Sequence, residues 1–211
     1  MTLFLKKLTQ FCIPKIKGKI HFDEKRVHVN GNLHDDLNAI DSKTKFILSE
    51  LFVVKKDFIS VKKFLMQIKR ICYEQILKRY LFEKYKPIKK RKLITFVCDG
   101  CPTFKSAFNI LFARVAKLVF GIPIKYKFGV KHNNNAIERY NKEIKRRIIV
   151  FGSFRSFEGA RIFLSFRATI YNFVNPHSEL NGLTPAEAAE IFIPLGKDRL
   201  LNLIKYVSKL R

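Results

Sequence analysis

The run of residues 19–54 constrains the fold more than any other part of this sequence. Apolar and polar residues alternate along it, which is typical of β-strands with one buried face. Two short stretches interrupt the alternation, Asn30-Gly31 and the polar residues 41–44, and Asn-Gly strongly favours a two-residue hairpin turn. The run therefore predicts three antiparallel strands joined by tight turns.

The rest of the chain alternates helices with short apolar runs. Helical spacing of apolar residues predicts helices over 57–83, 102–120 and 133–147, and later over 157–174, 184–194 and 196–209. The apolar runs 93–98 and 122–130 predict two strands, the first of them buried on both faces. This order predicts an α/β fold, a mixed sheet of about five strands flanked by helices, with extra C-terminal helices.

We expect three parts in the chain. Residues 1–18 form a basic N-terminal segment, residues 19–153 a core, and residues 154–211 a C-terminal helical extension packed on that core. With 47% hydrophobic residues, including 21 Phe, a chain of 211 residues can bury a sizeable core.

The net charge points to a polyanionic partner. Lys and Arg number 42 against 17 Asp and Glu, which gives a formal charge of +25. Such an excess fits DNA or RNA best and an anionic membrane surface second. The sequence has no run of about 18 uncharged apolar residues and no apolar signal-peptide core near its start. We therefore expect an intracellular protein without a membrane partner.

Four cysteines leave two interpretations open. Cys98 and Cys101 form a CxxC pair, but no second pair or close His pair completes a four-ligand zinc site. A thioredoxin-like redox site has this spacing. The alternative is that both cysteines are small residues flanking Asp99. Disulfides are not expected in the cytosol.

One carboxylate stands out in the helix predicted over 133–147. The apolar residues Ile137, Tyr140, Ile144 and Ile148 form one stripe, and Glu138 lies about 100° round from Ile137, at the edge of that stripe. Cations surround it: Arg139, Lys142, Lys145, Arg146 and Arg147. A carboxylate in that position suits a metal-assisted reaction on a phosphate backbone. Alternatively, Asn135 caps the helix and Glu138 completes a capping box.

Two further carboxylates occupy informative positions. Asp23 falls in the first predicted strand, and Asp99 follows the strand 93–98, at the end of a strand where ligands gather in open α/β sheets. Each also has an ordinary explanation, since Asp23 could lie on a solvated strand face and Asp99-Gly100 could be only a turn. Other acids lie near Asp23: Asp35 and Asp36 are its rivals, and Asp41 fits turn chemistry.

Several segments together resemble the DDE transposases of small prokaryotic insertion sequences. The matching blocks, in order, are HFDEKRVHVNG, LHDDLNAIDSKTKFIL, ITFVCDGCPTFKSAF, HNNNAIERYNKEIKRR, GSFRSFEGARIFL and NGLTPAEAAEI. The resemblance runs from residue 19 to about residue 193. It implies a ribonuclease-H-like catalytic core shared with retroviral integrases. Phe104 stands where the family often has Tyr, and we interpret it as a packing residue.

The resemblance also implies the chemistry and its residues. Asp23, Asp99 and Glu138 correspond to the family's catalytic and metal-binding acids, with 75 and 38 residues between them. They would hold two divalent ions, Mg²⁺ or Mn²⁺. Water would cleave the strand at the element's ends, and the freed 3′-hydroxyl would attack target DNA. The alternatives are a ribonuclease-H-like nuclease or resolvase that only hydrolyses, or a truncated, inactive DNA-binding relative.

DNA is the expected partner, both as element ends and as target. Arg139, Lys142, Lys145 and Arg146 are candidates for phosphate contacts, with a solvated helix face as the alternative, and Lys131 and His132 are weaker candidates. We expect a homodimer or larger assembly, because two ends must be joined. A DNA-recognition module is expected elsewhere, possibly on another chain. The expected location is a prokaryotic cytoplasm, at the nucleoid.

Overall fold

The computed structural model describes residues 12–121 and 134–209. The strands within these residues are β1 (Ile20–Val29), β2 (Asn32–Asp41), β3 (Ile47–Val53), β4 (Thr95–Cys98) and β5 (Lys117–Phe120). The α-helices are α1 (Phe58–Glu83), α2 (Pro102–Phe112), α3 (Asn135–Phe151), α4 (Phe157–Phe173), α5 (Pro185–Ala188) and α6 (Arg199–Lys209). Single 3₁₀ turns lie at Ile88–Lys90 and Ser178–Leu180.

The five strands form one mixed sheet in the order β3-β2-β1-β4-β5. β1, β2 and β3 are antiparallel neighbours, which confirms the three strands predicted over 19–54. Asn30 and Gly31 have φ angles of 48° and 78°, and a type I′ turn needs this left-handed backbone at both central residues. The hairpin turn therefore fixes the pairing of β1 with β2.

β4 and β5 extend the sheet in parallel on the other side of β1. β4 confirms the strand predicted over 93–98, and its residues Phe96, Val97 and Cys98 are buried as expected. β5 corrects the sequence prediction, which continued a helix through 120. The helix α2 ends at Phe112, and Arg114 then has a φ of 75°, a left-handed conformation that no α-helix contains. The strand predicted over 122–130 lies outside the described residues.

The helices α4 and α5 begin where predicted, whereas α6 begins at Arg199 and not near residue 196. Thr184 and Glu187 form the expected capping box at the start of α5. That helix ends at Ala188 instead of continuing to 194, because Glu190 has a φ of 63° and stops it. The predicted division of the chain at residue 153 stays a prediction.

The two faces of the sheet differ in character. A cluster of aromatic side chains covers the face under α1 and α2, where the largest fully buried residues include Phe22, Phe64, Phe96, Phe104 and Phe112. A second cluster, with α3 and α4, covers the other face. No helix among the described residues is long and apolar enough to cross a membrane.

Candidate active site

The sheet register brings Asp23 and Asp99 together. β1 and β4 run parallel with Ile20 opposite Phe96 and His21 opposite Val97. Two further steps along both strands place Asp23 beside Asp99, just past the end of β4. Carboxylate oxygens of Asp23, Glu24 and Asp99 all lie within 4.8 Å of one another. Two acids with 75 residues between them in sequence therefore share one site.

Glu138 reaches the same site from α3. The predicted stripe is confirmed, since Ile137, Tyr140 and Ile144 are buried against the sheet and hold the helix in place. Glu138 lies half-buried in the first turn of α3, close enough to Asp23 for its charge to raise the pKa of that carboxyl. It lies outside the tight group of three carboxylates. The structure thus brings together all three acids that the sequence singled out.

The alternative explanations for these acids can now be judged. The residue before α3 is Asn134, and its side chain makes no capping hydrogen bond, so the capping box with Asn135 and Glu138 is wrong. Asp23 is half-buried beneath α3, so it does not lie on a solvated strand face. Asp99 does make a turn contact, accepting from the Cys101 backbone N–H at 3.4 Å, but this bond is long and leaves the second oxygen available.

Glu24 is a carboxylate that sequence reasoning did not select. Neighbouring residues on a strand point to opposite faces, so strand periodicity does not predict that Glu24 lies beside Asp23. Its oxygens nevertheless join those of Asp23 and Asp99. The Lys56 ammonium forms an ion pair with Glu24 and lies 5.4 Å from the centre of the Phe104 ring. Lys56 therefore supplies positive charge at the edge of the cluster.

The electrostatics of the site show an excess of negative charge. Burial raises the pKa of Asp23 to about 7, and the nearby charges of Glu24, Asp99 and Glu138 act in the same direction. Burial lowers the pKa of Lys56, but the hydrogen bond and charge of Glu24 outweigh it and leave that pKa raised. The carboxylates therefore favour a bound cation.

Two asparagines connect the cluster to its surroundings. The Asn141 amide nitrogen donates to Asp23 Oδ2 at 3.4 Å, from the same helix that carries Glu138. Asn134 Oδ1 lies 3.1 Å from His21 Nδ1 on β1. Both contacts tie α3 to β1, so they set the position of Glu138 relative to Asp23.

The rival acids have other partners. Asp36 forms a buried ion pair with Lys25 at 2.7 Å, and Asp35 accepts a hydrogen bond from the Lys56 backbone N–H. Asp41 serves the turn as predicted, because its carboxylate accepts from the backbone N–H groups of residues 17, 18 and 43. None of these three lies in the carboxylate cluster found among the described residues.

The cysteines are free thiols, and their environment argues against redox chemistry. Burial, reinforced by the charge of Asp99, raises the pKa of Cys98 to about 12. A reactive thiol needs a lowered pKa, because the thiolate is the nucleophile. The structure therefore favours the interpretation that Cys98 and Cys101 flank Asp99 without reacting themselves.

The predicted DNA-binding residues lie in one exposed row where the structure describes them. Arg139, Lys142, Lys145 and Arg146 project from α3 into solvent, and Arg139 pairs with Glu179. The predicted residues Lys131 and His132 lie outside the described residues. Phe104 is fully buried with its ring 4.9 Å from that of Phe22, in agreement with a packing role.

Carboxylate oxygens are the ligands that Mg²⁺ and Mn²⁺ prefer. The convergence of Asp23, Glu24 and Asp99, and the raised pKa of Asp23, fit a divalent cation at this point. Glu138 could contribute an oxygen from the first turn of α3. The site thus has the donors that metal-assisted phosphodiester chemistry needs.

Comparisons with solved structures show the fold. A simian T-cell lymphotropic virus intasome, solved in complex with the PP2A regulatory subunit B56 gamma, matches with a TM-score of 0.56 at 12% identity. That match covers 87% of this chain and 57% of the viral chain, so this chain spans less than two thirds of it. The HTLV-2 integrase catalytic core domain in complex with magnesium, trimeric form, matches with a TM-score of 0.50 at 12% identity. It covers 84% of this chain and 99% of that one. The expected integrase-core, ribonuclease-H-like fold is confirmed.

Sequence comparison identifies the family. No curated protein matches the chain significantly. A family model described as a DDE domain, that of IS240-type transposases, matches residues 17–177, about three quarters of the chain. The match includes all three acids of the proposed site. The chain therefore belongs to the DDE transposase domain family.

Proposed function

We propose that this chain is the catalytic domain of an insertion-sequence transposase, which cleaves DNA and joins it to a target with divalent metal. The observation that carries the proposal is the grouping of Asp23 with Asp99 at the end of β4, with Glu138 of α3 near enough to influence Asp23, in a chain of the DDE family. The +25 formal charge fits a DNA substrate.

The carboxylates would hold two Mg²⁺ or Mn²⁺ ions. When bound, such a pair activates the attacking oxygen and stabilises the leaving one in an in-line displacement. Asp23 and Asp99 would hold the ions, with Glu138 completing the set. Glu24 is held by Lys56, so it can balance the cluster's charge without occupying the centre of the site.

The protein's own task in this chemistry is positioning. Water would attack the phosphodiester at the element end, and the 3′-oxygen would leave and take up a proton. In joining, that 3′-hydroxyl would attack a target phosphodiester and expel a second 3′-oxygen. The exposed cations of α3 would contact neighbouring phosphates, which orients the substrate but does not read its sequence. No Ser or Tyr nucleophile is required.

The assembly and location belong to the same proposal. Two element ends must be brought together, so we propose at least a dimer on DNA. A recognition module, on this or another chain, would select those ends. The reaction would take place in the cytoplasm of a prokaryotic cell, at the nucleoid.

A strand-transfer assay tests this function. Purified protein is incubated with Mg²⁺ or Mn²⁺, a labelled duplex carrying the repeats that flank its gene, and a supercoiled target. We expect joined product from the wild type and none from Asp99→Asn or Glu138→Gln. Glu74→Gln is the matched control, because Glu74 is an exposed acid on α1 and does not belong to the carboxylate cluster. It should leave the product unchanged.

The outcomes separate the alternatives. Hydrolysis without joining would indicate a nuclease or resolvase. DNA binding with no metal-dependent product, even when a recognition module is supplied, would indicate an inactive relative. Mn²⁺ binding followed by electron paramagnetic resonance tests the site directly, and Asp99→Asn should weaken it while Glu74→Gln should not.

A further inference from the structure

A basic cavity lies beside the candidate active site and has no role in the chemistry described so far. Its volume is about 530 Å³, and it opens next to the first turn of α3. Five cationic side chains line it: Lys17, Lys19, Lys43, Lys45 and Arg139. Its described lining contains no carboxylate. Sequence reasoning selected Arg139 but none of the four lysines.

The backbone around the cavity is fixed by Asp41. This carboxylate is fully buried and accepts from the backbone N–H groups of Lys17 at 2.7 Å, Gly18 at 3.2 Å and Lys43 at 2.9 Å. A Cβ at Gly18 would lie only 2.4 Å from Asp41 Oδ1, so the approach leaves no room for a side chain. Two basic segments that are distant in sequence are thereby locked together.

Ser42 reinforces the same connection. Its backbone N–H donates to the Lys19 carbonyl at 2.9 Å, and its hydroxyl accepts from the Lys19 N–H at 2.9 Å. The lysine side chains therefore project from a rigid frame and not from a flexible tail. A rigid frame that gathers five cationic side chains around one cavity is suited to an anion.

The acids that do pair with these cations lie at the rim. Glu179 pairs with Lys45 at 2.9 Å and also with Arg139, and Glu190 pairs with Lys17 at 3.0 Å. Both acids are almost half exposed, and exposed ion pairs are weak. An incoming phosphate can therefore replace Glu179 at little cost.

The cavity lies next to the catalytic carboxylates. His21, in its lining, is two residues before Asp23 on β1, and Arg139 follows Glu138 on α3. At about 3.3 Å per strand residue, the stretch from residue 19 to residue 23 spans roughly 13 Å. A DNA strand advances about 3.4 Å per nucleotide along the helix axis. The cavity is thus about two to four nucleotides from the carboxylates.

We propose that this cavity binds the backbone phosphates of the DNA strand being cut, two to four nucleotides from the scissile phosphate. The proposal rests on the proposed function for the position of the scissile phosphate. The cavity's cations match phosphate oxygens, and its frame sets their spacing. This phosphate contact positions the strand over Asp23, Asp99 and Glu138 without reading its sequence.

Binding measurements without metal test the proposal separately from catalysis. Fluorescence anisotropy follows an end duplex at several salt concentrations, with the full chain. Lys43→Gln with Lys45→Gln should weaken binding about tenfold and lower the salt slope by about 2, since each phosphate contact contributes about 0.9. Glu179→Gln should tighten binding about two- to threefold, because it removes the competing acid. Lys205→Gln, an equal charge loss at an exposed position on α6, should have a smaller effect and leave the slope nearly unchanged.

Neutral phosphates locate the contact. A methylphosphonate placed two to four nucleotides from the cut site, on the cut strand, should weaken binding by the wild type but not by the double lysine variant. Equal penalties at every position, or equal losses for the double variant and Lys205→Gln, would overturn the proposal. So would competition by millimolar inorganic phosphate alone, which would indicate a free-anion site.

The test does not depend on catalysis. If the wild type proves inactive but the coupling between cavity and phosphate is found, the proposed function fails and the phosphate site stands. Thermal unfolding of each variant checks that it is folded, and single variants Lys43→Gln and Lys45→Gln serve if the double variant is not.

Discussion

The two faces of the central sheet differ in the polar groups that they bury. Under α1 and α2, on what we call the apolar face, aromatic rings pack edge to face, with Phe22 contacting Phe96 at 6.3 Å and Phe104 at 4.9 Å between ring centres. Under α3 and α4, on the polar face, apolar side chains such as Ile40 and Phe52 share the interior with charged and amide side chains. Asp23, Asn38 and Glu50 are register partners across β1, β2 and β3, so they form one polar row on this face.

The polar face also contains a buried ion pair. Lys25 and Asp36 lie directly opposite each other on β1 and β2, with 1% of each side chain exposed. Burial and the neighbouring Asp36 carboxylate raise the pKa of Glu50 well above its ordinary value. Tyr140 of α3 covers this group, with its ring centre 6.0 Å from Lys25 Nζ.

The difference teaches how stability and function are divided in this fold. Apolar burial contributes free energy without requiring one geometry, whereas buried polar groups are costly unless each finds its partner. The buried apolar side chains of both faces therefore provide most of the stability. The polar face holds α3, and with it Glu138, in a fixed position relative to Asp23.

The largest effect is expected on the apolar face. Phe64→Ala removes a fully buried ring from α1 and should lower the free energy of unfolding by about 3–5 kcal/mol. Urea denaturation measures this loss. Mn²⁺ affinity of the folded fraction should not change, because Phe64 packs against Phe22, on the opposite face of the sheet from Asp23. An altered affinity would show that the two faces are not independent.

On the polar face, the loss should depend on which partner is removed. Lys25→Met leaves the Asp36 carboxylate buried without its counter-ion, and we expect a loss of about 3–5 kcal/mol. Adding Asp36→Asn to Lys25→Met removes the unpaired charge and should recover more than half of it. For Phe64→Ala, no second substitution of this kind is expected to recover the lost stability. If the unfolding curves showed no recovery of stability in the double variant compared with Lys25→Met, they would contradict the role assigned to the Lys25–Asp36 ion pair.

Sequence reasoning found the elements and the three acids for identifiable reasons. The alternation in β1 to β3 and the Asn30-Gly31 turn are local signals, and the stripe at Ile137, Tyr140 and Ile144 is a periodic one. Asp23, Asp99 and Glu138 were found through family motifs. Each of these features can be read from neighbouring residues.

What sequence reasoning missed depends on pairing between distant segments. The polar row also requires the register of Glu50 against Asn38. An irregularity between Ala39 and Ile40 shifts the pairing of β2 with β3, so the turn between these strands does not make that register readable from the sequence. Lys56 meets Glu24 only because the segment after β3 returns to β1. The left-handed backbone conformation after α2 occurs at Arg114 and not at a Gly, so the sequence does not indicate it.

A smaller effect is expected when a single polar contact between α4 and β3 is removed. Asn172 of α4 accepts from the Ile47 N–H at 2.8 Å and donates to the Ile47 carbonyl at 3.0 Å. Asn172→Ala leaves both backbone groups of β3 without this buried partner and should cost about 1–3 kcal/mol. Asn109→Ala, at an exposed position on α2, should stay within about 0.5 kcal/mol. If Asn172→Ala and Asn109→Ala lost equal free energy of unfolding in chemical denaturation, the buried polar contact of α4 would contribute no more than an exposed side chain.

The smallest effect has the opposite sign and depends on pH. The pKa of Asp23 is raised to about 7 in the folded protein, above its ordinary value of 3.8, by burial and by the acids around it. The unfolded chain loses this proton near pH 4, so the folded state loses stability as the pH rises from about 4 to 7. Asp23→Asn avoids that loss. In metal-free buffer it should be more stable than the wild type by about 1–2 kcal/mol at pH 8, allowing for solvent screening, and by less than half of that difference at pH 5.

Divalent metal should reverse the order. With Mg²⁺ present at pH 8, the wild type gains stability from binding, whereas Asp23→Asn gains less because it lacks a ligand. Thermal unfolding at pH 5 and pH 8, with EDTA or Mg²⁺, gives the four comparisons, and Glu74→Gln should show no pH-dependent difference in any of them. If Asp23→Asn were less stable at pH 8 without metal, the carboxylates would be stabilising the fold. The carboxylates of the polar face would then contribute to the free energy of folding, as the side chains of the apolar face do. Greater stability of the variant instead means that the site retains unfavourable charge because a cation needs it.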